Sequence, residues 1–272
     1  MNATTSHTAS RQRTALVTGA SSGIGAIYAD RLARRGYDLI LAARGEQRLR
    51  ELADRLQAAH GRKAAVLVAD LGQRDGQRRV EALLRDDASI DVLVNNAGFG
   101  LVAPFLQADL DRMEAMIDLN VTALTRLAHA AAAAFLARGK GDVINISSIA
   151  AINTDVLNGV YSGTKAYVLA LSQAMQYELR DKGVRVQAVL PGPTATEFWG
   201  VAGMDHAKLP EGWVMSAEDM VDASLAGLDQ GEAVTIPSLQ DGEDWLRYDA
   251  QRQELAQRLA VGKPGPRYGV GR

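Results

Sequence analysis

Tyr161 and Lys165 stand one helical turn apart, so on a helix their side chains share a face. A free phenol titrates near pH ~10 and serves poorly as an acid–base catalyst at neutrality. An ammonium about 4 Å away, at an effective dielectric near 20, is worth about 4 kcal/mol and would bring the phenol toward neutral pH. Alone, such a pair more often means a packed Tyr beside a solvated Lys. Far upstream, TGASSGIG (Thr18 to Gly25) lies between apolar Ala15-Leu16-Val17 and a helix-like stretch. Gly19, Gly23 and Gly25 permit a tight turn and close backbone approach, and the following helix N-terminus offers unpaired N–H groups and partial positive charge to a pyrophosphate. A cradle for a bulky anionic carrier and a proton donor beside a carbonyl are together what hydride exchange with a nicotinamide cofactor requires.

Other residues fall where that chemistry needs them. Ser147-Ser148 closes a candidate fifth strand shortly before Tyr161, and a hydroxyl there can hydrogen-bond a carbonyl oxygen as it becomes an alkoxide. Asn95-Asn96-Ala97-Gly98 closes the fourth strand, and Asn120 lies in the helix that follows. At the end of the second strand, where a carboxylate would hold the adenosine ribose hydroxyls, Ala43 is followed by Arg44. A guanidinium there suits a 2'-phosphate and predicts NADP(H) over NAD(H); the alternative is a solvated residue at the start of a helix.

The elements that must position these groups are legible as apolar runs alternating with helical periodicity. Thr14 to Thr18, Asp38 to Ala43, Ala64 to Ala69, Ile90 to Asn95, Asp142 to Ser147, Val184 to Leu190 and Ala233 to Ile236 read as strands. Gly23 to Arg35, Glu46 to His60, Gln73 to Asp87, Leu110 to Arg138 and Gly159 to Lys182 read as crossover helices. The pattern predicts an α/β fold, a doubly wound, Rossmann-like parallel sheet of seven strands with helices on both faces and a ligand crevice at the carboxyl ends of the strands. Glycines at 36, 61, 139, 141 and 183 stand where helices should stop. The alanine-rich Ala128 to Ala137 reads as a closely packed helix face, and Trp245, Tyr248, Leu255 and Leu259 as an apolar stripe on a late helix. The expected organisation is a loose tail over 1–12, one domain over 13–262 and an irregular, Gly- and Pro-rich tail over 263–272.

Composition narrows the function. The chain has 272 residues and a net charge of -2, with no long basic stripe to suggest nucleic-acid or membrane-surface binding. Without cysteine it has no disulfide, thiolate nucleophile or cysteine zinc site. His7, His60, His129 and His206 are scattered, so no metal site is expected. The start of the chain lacks an apolar secretory core and no uncharged apolar stretch reaches about 18 residues, so a soluble, cytoplasmic protein is expected.

Through TGASSGIG, NNAG (Asn95 to Gly98), NISS (Asn145 to Ser148), YSGTK (Tyr161 to Lys165) and PGPTAT (Pro191 to Thr196), the chain resembles the short-chain dehydrogenase/reductase superfamily, over roughly Arg13 to Phe198. The subgroup it most resembles shares DLILAAR, NNAGFG and PGPTATEFW and consists mostly of oxidoreductases without assigned substrates. The resemblance makes Tyr161 the general acid/base, Lys165 its partner and a ligand of the nicotinamide ribose, and Ser148, rather than Ser147, the group that orients the carbonyl. It has Asn120 hold a water that links Lys165 to solvent. It assigns Gly19, Ser21, Ser22, Gly23, Ile24 and Gly25 to the phosphate turn, Asp70 and Leu71 to adenine, Asn96 and Gly98 to the ribose side, and Pro191, Gly192, Thr194 and Thr196 to nicotinamide and pyrophosphate. It implies a homodimer or homotetramer, with the 110–138 and 159–182 helices as candidate interfaces, although the long charged segment after the seventh strand departs from the usual ending. Residues 197–215, carrying Phe198, Trp199, Val201, Met204, Trp213, Val214 and Met215, read as a mobile lid suited to an apolar carbonyl or alcohol. Two alternatives remain at this point: a non-catalytic dinucleotide-binding redox sensor, and an epimerase or dehydratase that consumes no net cofactor.

Overall fold

The computed structural model describes residues 12–154, 158–204 and 206–270. Of the expected N-terminal tail only Gln12 is among them; the rest, His7 included, lies outside the described residues, as do 271–272 and the side chain of His206. Seven parallel strands form one sheet in the order β3-β2-β1-β4-β5-β6-β7. They are β1 (Thr14–Thr18), β2 (Asp38–Ala43), β3 (Ala64–Val68), β4 (Ile90–Asn95), β5 (Gly141–Ile146), β6 (Val184–Val189) and β7 (Val234–Thr235). The helices are α1 (Gly23–Arg34), α2 (Glu46–His60), α3 (Arg74–Asp86), α4 (Leu110–Ile117), α5 (Leu124–Arg138), α6 (Gly159–Leu179), α7 (Phe198–Ala202), α8 (Ala217–Gln230) and α9 (Gly242–Gln257).

The strands read as unbroken apolar runs because both faces of the sheet are covered. Ala15 and Val17 of β1 join α1, α2 and α8 in one core, through Tyr28, Leu32, Leu49, Leu56, Met220 and Leu225. Leu16, between them, points to the opposite core with Val80, Leu84, Leu127, Ala131 and Phe135 from α3 and α5. The strand order reverses between β1 and β4, and β1 pairs in parallel register with both β2 and β4. Such a reversal opens a crevice at the carboxyl ends of the strands.

Two local details, a π turn and the place of Gly141, differ from the sequence reading. The continuous helix expected over 110–138 is broken by a π turn at Asp118–Ala123, which holds Asn120 buried behind the crevice. That same stretch holds a window long and apolar enough to cross a membrane, yet α5 buries Leu124, Leu127, Ala131 and Phe135 as a core helix does. Gly61, Gly139 and Gly183 do end helical segments in the left-handed conformation, but Gly141 is the first residue of β5.

Contacts group the chain into two compact units that meet at Pro237 and Ser238. The second unit carries α9, which buries no residue, stacks Trp245 against Tyr248 at 5.4 Å and leaves Leu255 exposed. Within the stretch expected to be irregular, Pro266–Tyr268 forms one 3-10 turn.

Candidate active site

A cleft of about 1450 Å³ runs along the carboxyl ends of the strands in the first unit. Its floor at one end is the turn after β1. Gly19 has φ +64°, and a Cβ there would sit 2.8 Å from the Asn96 amide nitrogen and 3.0 Å from the Ala97 Cα. A Cβ on Gly25 would lie 2.4 Å from the Gly19 carbonyl oxygen, so α1 can approach the turn only with glycine at that position. Gly25 is buried and does not line the cleft; it sets the seat of the helix that does. The N-terminus of α1 has no side-chain cap and no acidic residue in its first turn, which leaves its N–H groups and partial positive charge for an outside anion. These features fit a dinucleotide pyrophosphate.

The turn is fastened from the neighbouring strand. Thr18 Oγ1 accepts from the N–H groups of Asn96 and Ala97, both at 3.0 Å, and the Asn96 side-chain amide donates to the Thr18 and Gly19 carbonyls. Asn96 therefore acts on the turn directly, in addition to lining the cleft. Across the cleft, Thr196 packs against Gly23, where a Cβ would lie 3.2 Å from its side chain. Ser21, Ser22, Ile24, Asp70, Leu71, Gly98, Pro191, Gly192 and Thr194 also line the cleft. At the far rim of this half stands Arg44, exposed and with no protein partner among the described residues.

The other half carries the polar pair. Tyr161 is 5 % exposed and hydrogen-bonded to Ser148, whose Oγ also accepts from the Ala150 N–H at 3.1 Å. Ser147 faces away and donates to the Lys165 carbonyl at 2.7 Å, which explains why only its neighbour reaches Tyr161. Lys165 Nζ donates to the Ile146 carbonyl at 2.9 Å and lies 5.7 Å from the Tyr161 ring centroid. Asn120 does not line the cleft: its amide donates to the Phe99 carbonyl at 2.9 Å and to Thr164 Oγ1 at 3.3 Å, and its Oδ1 accepts from the Phe99 N–H at 3.1 Å. A π turn at such a position is a common way to bring a side chain to a functional centre.

The electrostatics correct one expectation. Lys165 does not bring the Tyr161 phenol toward neutral pH: burial pushes it up to about 12, and the Ser148 hydrogen bond offsets only part of that. The same burial lowers the Lys165 ammonium to about 8. Desolvation penalises the charged form of each group and is the largest cause of both shifts.

Beyond Tyr161 one wall is rich in apolar side chains, while Asp111, Arg112, Glu114 and Asp118 also line the cleft. Phe198 packs on the Tyr161 ring at 5.9 Å and meets Trp199 edge-on at 5.6 Å. Phe99, Val102, Val201, Met204, Leu209 and Trp213 continue that wall. The segment read as a lid is held near its two ends: Trp199 is buried and donates from Nε1 to the Thr194 carbonyl at 2.9 Å, and Met215 pairs with Thr194 in a short parallel bridge. A further contact escaped the sequence reading. Arg48, one helical turn beyond Arg44, reaches Glu197 at 2.8 Å and ties the start of α2 to the start of α7.

Comparisons with known proteins agree with this geometry. A family model described as short chain dehydrogenase matches residues 13–206. A short-chain dehydrogenase from Sphingobium yanoikuyae, solved in complex with NADPH, is 45 % identical and superposes with a TM-score of 0.90 over 93 % of this chain and 98 % of that one. A bulky-bulky ketone specific alcohol dehydrogenase from Comamonas testosteroni is 43 % identical with a TM-score of 0.87, over 95 % and 99 % of the two chains. Serine 3-dehydrogenase of Agrobacterium fabrum is 39 % identical over 68 % of this chain and 73 % of that protein. With the glycine turn, the Ser148–Tyr161 pair and Lys165 on one cleft of a doubly wound sheet, the chain belongs to the short-chain dehydrogenase/reductase family of Rossmann-fold oxidoreductases.

Proposed function

We propose that this protein is an NADPH-dependent reductase of bulky, apolar ketones, with Tyr161 as the proton donor. The observation that carries the reading is the Ser148–Tyr161 hydroxyl pair, buried where a cleft with a basic rim at Arg44 meets a wall of Phe198, Trp199 and Trp213. The NADPH-bound and ketone-specific relatives support the same cofactor and substrate class.

In this reading the N–H groups at the start of α1 hold the pyrophosphate, and Arg44 pairs with the 2'-phosphate by charge-assisted hydrogen bonds. The cofactor, when bound, supplies the hydride. Ser148 and Tyr161 both point a hydroxyl at the carbonyl oxygen, which fixes the ketone and stabilises the negative charge that grows there. Because burial holds Tyr161 protonated across the neutral range, it enters the reaction as an acid, ready to donate to the nascent alkoxide. The phenolate left behind is stabilised by the Lys165 ammonium close to its ring. One Lys165 proton is committed to the Ile146 carbonyl, which leaves two for ribose hydroxyls. Asn120 positions the Phe99 backbone; since both protons of its amide are engaged, it would carry a water relay through its main chain or its Oδ1.

The test is NADPH oxidation, followed at 340 nm, with benzophenone and other diaryl and aryl alkyl ketones, run beside NADH. Turnover with NADPH well above that with NADH is expected; equal use of NADH removes the role given to Arg44, and silence across the ketones removes the substrate class.

A further inference from the structure

Gly100, the last residue of NNAGFG, is buried in the loop after β4 and lies directly against the tip of Phe198, which lines the cleft. A Cβ at position 100 would lie 2.5 Å from the Cζ of Phe198 and 3.3 Å and 3.4 Å from its two Cε atoms. The Phe198 ring thus spans from α7 to the 99–103 loop with its tip against bare backbone, while its side rests on Tyr161. It bridges the two walls of the cleft at the catalytic end.

We infer that Gly100 and Phe198 form a matched pair that sets how large a substituent the ketone may carry beside Tyr161. The inference rests on the ketone-reductase reading above and names the residues that tune it. The backbone on both sides of the contact is fastened: the Val102 N–H donates to the Ala202 carbonyl at 2.8 Å, Arg112 donates to the Val201 carbonyl at 3.2 Å, and Trp199 is anchored on Thr194. A methyl at position 100 therefore cannot be relieved by sliding α7 away. The Phe198 ring must turn instead; it is flanked by Trp199 and Tyr161, packs on the Leu101, Met113 and Met116 cluster and has its remaining side on the cleft, so it turns toward the cleft. Overpacking of a fixed site is relieved by the side chain with somewhere to go.

The two positions have opposite effects. Gly100→Ala drives the ring inward and shrinks the pocket, so a ketone with two large substituents suffers more than one with a methyl on one side. Phe198→Ala removes the bridge and widens the pocket, with the reverse preference. Once the ring is gone, a methyl at position 100 has nothing to displace.

The experiment is a double-mutant cycle over Gly100→Ala, Phe198→Ala and the double variant. It reads kcat/KM with NADPH for acetophenone and benzophenone, and the Kd of each ketone for protein saturated with NADP+. The benzophenone-to-acetophenone ratio should fall by roughly tenfold in Gly100→Ala and rise by a similar factor in Phe198→Ala, the range that one small group in an apolar pocket commands. The double variant should match Phe198→Ala within about twofold, which is the signature of direct coupling. Equal loss from Gly100→Ala with and without Phe198, or a parallel fall for both ketones together with NADPH affinity, overturns the inference while leaving the reductase reading in place. Coupled ketone binding with no NADPH consumption upholds the pair and removes the reductase reading; a protein that binds neither ketone overturns both. If Gly100→Ala does not fold, the shift in Phe198→Ala decides alone, and an unchanged ratio there is contrary.

Discussion

Arg44 offers the sharpest prediction about the cofactor. Two arginines line the end of the cleft proposed for the 2'-phosphate, but Arg48 is held by Glu197 at 2.8 Å while Arg44 has no protein partner among the described residues. Removing Arg44 should therefore remove most of the free positive charge available to a 2'-phosphate. A hydrogen bond between charged groups contributes about 1.5–3 kcal/mol, and Arg44 is exposed, so solvent screening places it toward the low end. At about 1.4 kcal/mol per factor of ten, Arg44→Ala should raise the KM for NADPH by roughly 10- to 30-fold and leave the KM for NADH within about twofold. The NADPH effect should shrink with added salt as the exposed charge is screened. Arg48→Ala should do less, and Glu197→Gln should strengthen NADPH binding modestly by releasing Arg48. Steady-state kinetics with both cofactors at two salt concentrations test this. An Arg44→Ala variant that loses NADH and NADPH equally refutes the reasoning, since the residue would then serve the fold and not the phosphate.

Other expectations follow from the same geometry. Tyr161→Phe removes the transferable proton but little packing, so kcat should fall by about 10²- to 10⁴-fold while NADPH affinity, measured by fluorescence titration, stays within about twofold. Lys165 is held at about 8, below its ordinary 10.5, so the folded state carries a penalty that is full below pH 8 and relieved as pH rises toward 10.5. That penalty is about 3 kcal/mol, partly offset by the hydrogen bond to Ile146; Lys165→Met should therefore raise urea stability at pH 7 by roughly 1–2 kcal/mol while abolishing turnover, and a variant less stable than wild type would contradict the sign. Gly25→Ala would place a methyl against the Gly19 carbonyl, so it should lower stability by about 1–3 kcal/mol and weaken NADPH binding, as thermal melts with and without cofactor would reveal.

The parts of the site that were legible in the sequence are those dictated by local backbone demands. Gly19, Gly23 and Gly25 announce a turn because no other residue fits it, and Tyr161 and Lys165 share a face by helical spacing alone. The alternating apolar runs disclosed the sheet because each strand is buried on both faces. The π turn around Asn120 was hidden because hydrophobic periodicity carries on through it. Contacts such as Gly100 with Phe198 and Arg48 with Glu197 join distant stretches, and only the folded crevice brings them together. The charge partner of Tyr161 is legible from spacing, whereas the desolvation that raises its phenol belongs to the tertiary structure.

The central claim is that this cleft moves a hydride from the nicotinamide to a carbonyl carbon. It is tested most directly by turnover of benzophenone with NADPH carrying deuterium at the transferable C4 position, followed by mass spectrometry of the product. The account predicts one deuterium on the carbinol carbon for each NADP+ formed, with the rate, and not the label per product, falling about 10²- to 10⁴-fold when Tyr161 is replaced by Phe. Alcohol formed without deuterium, or substrate altered with no net NADPH consumed, would contradict it.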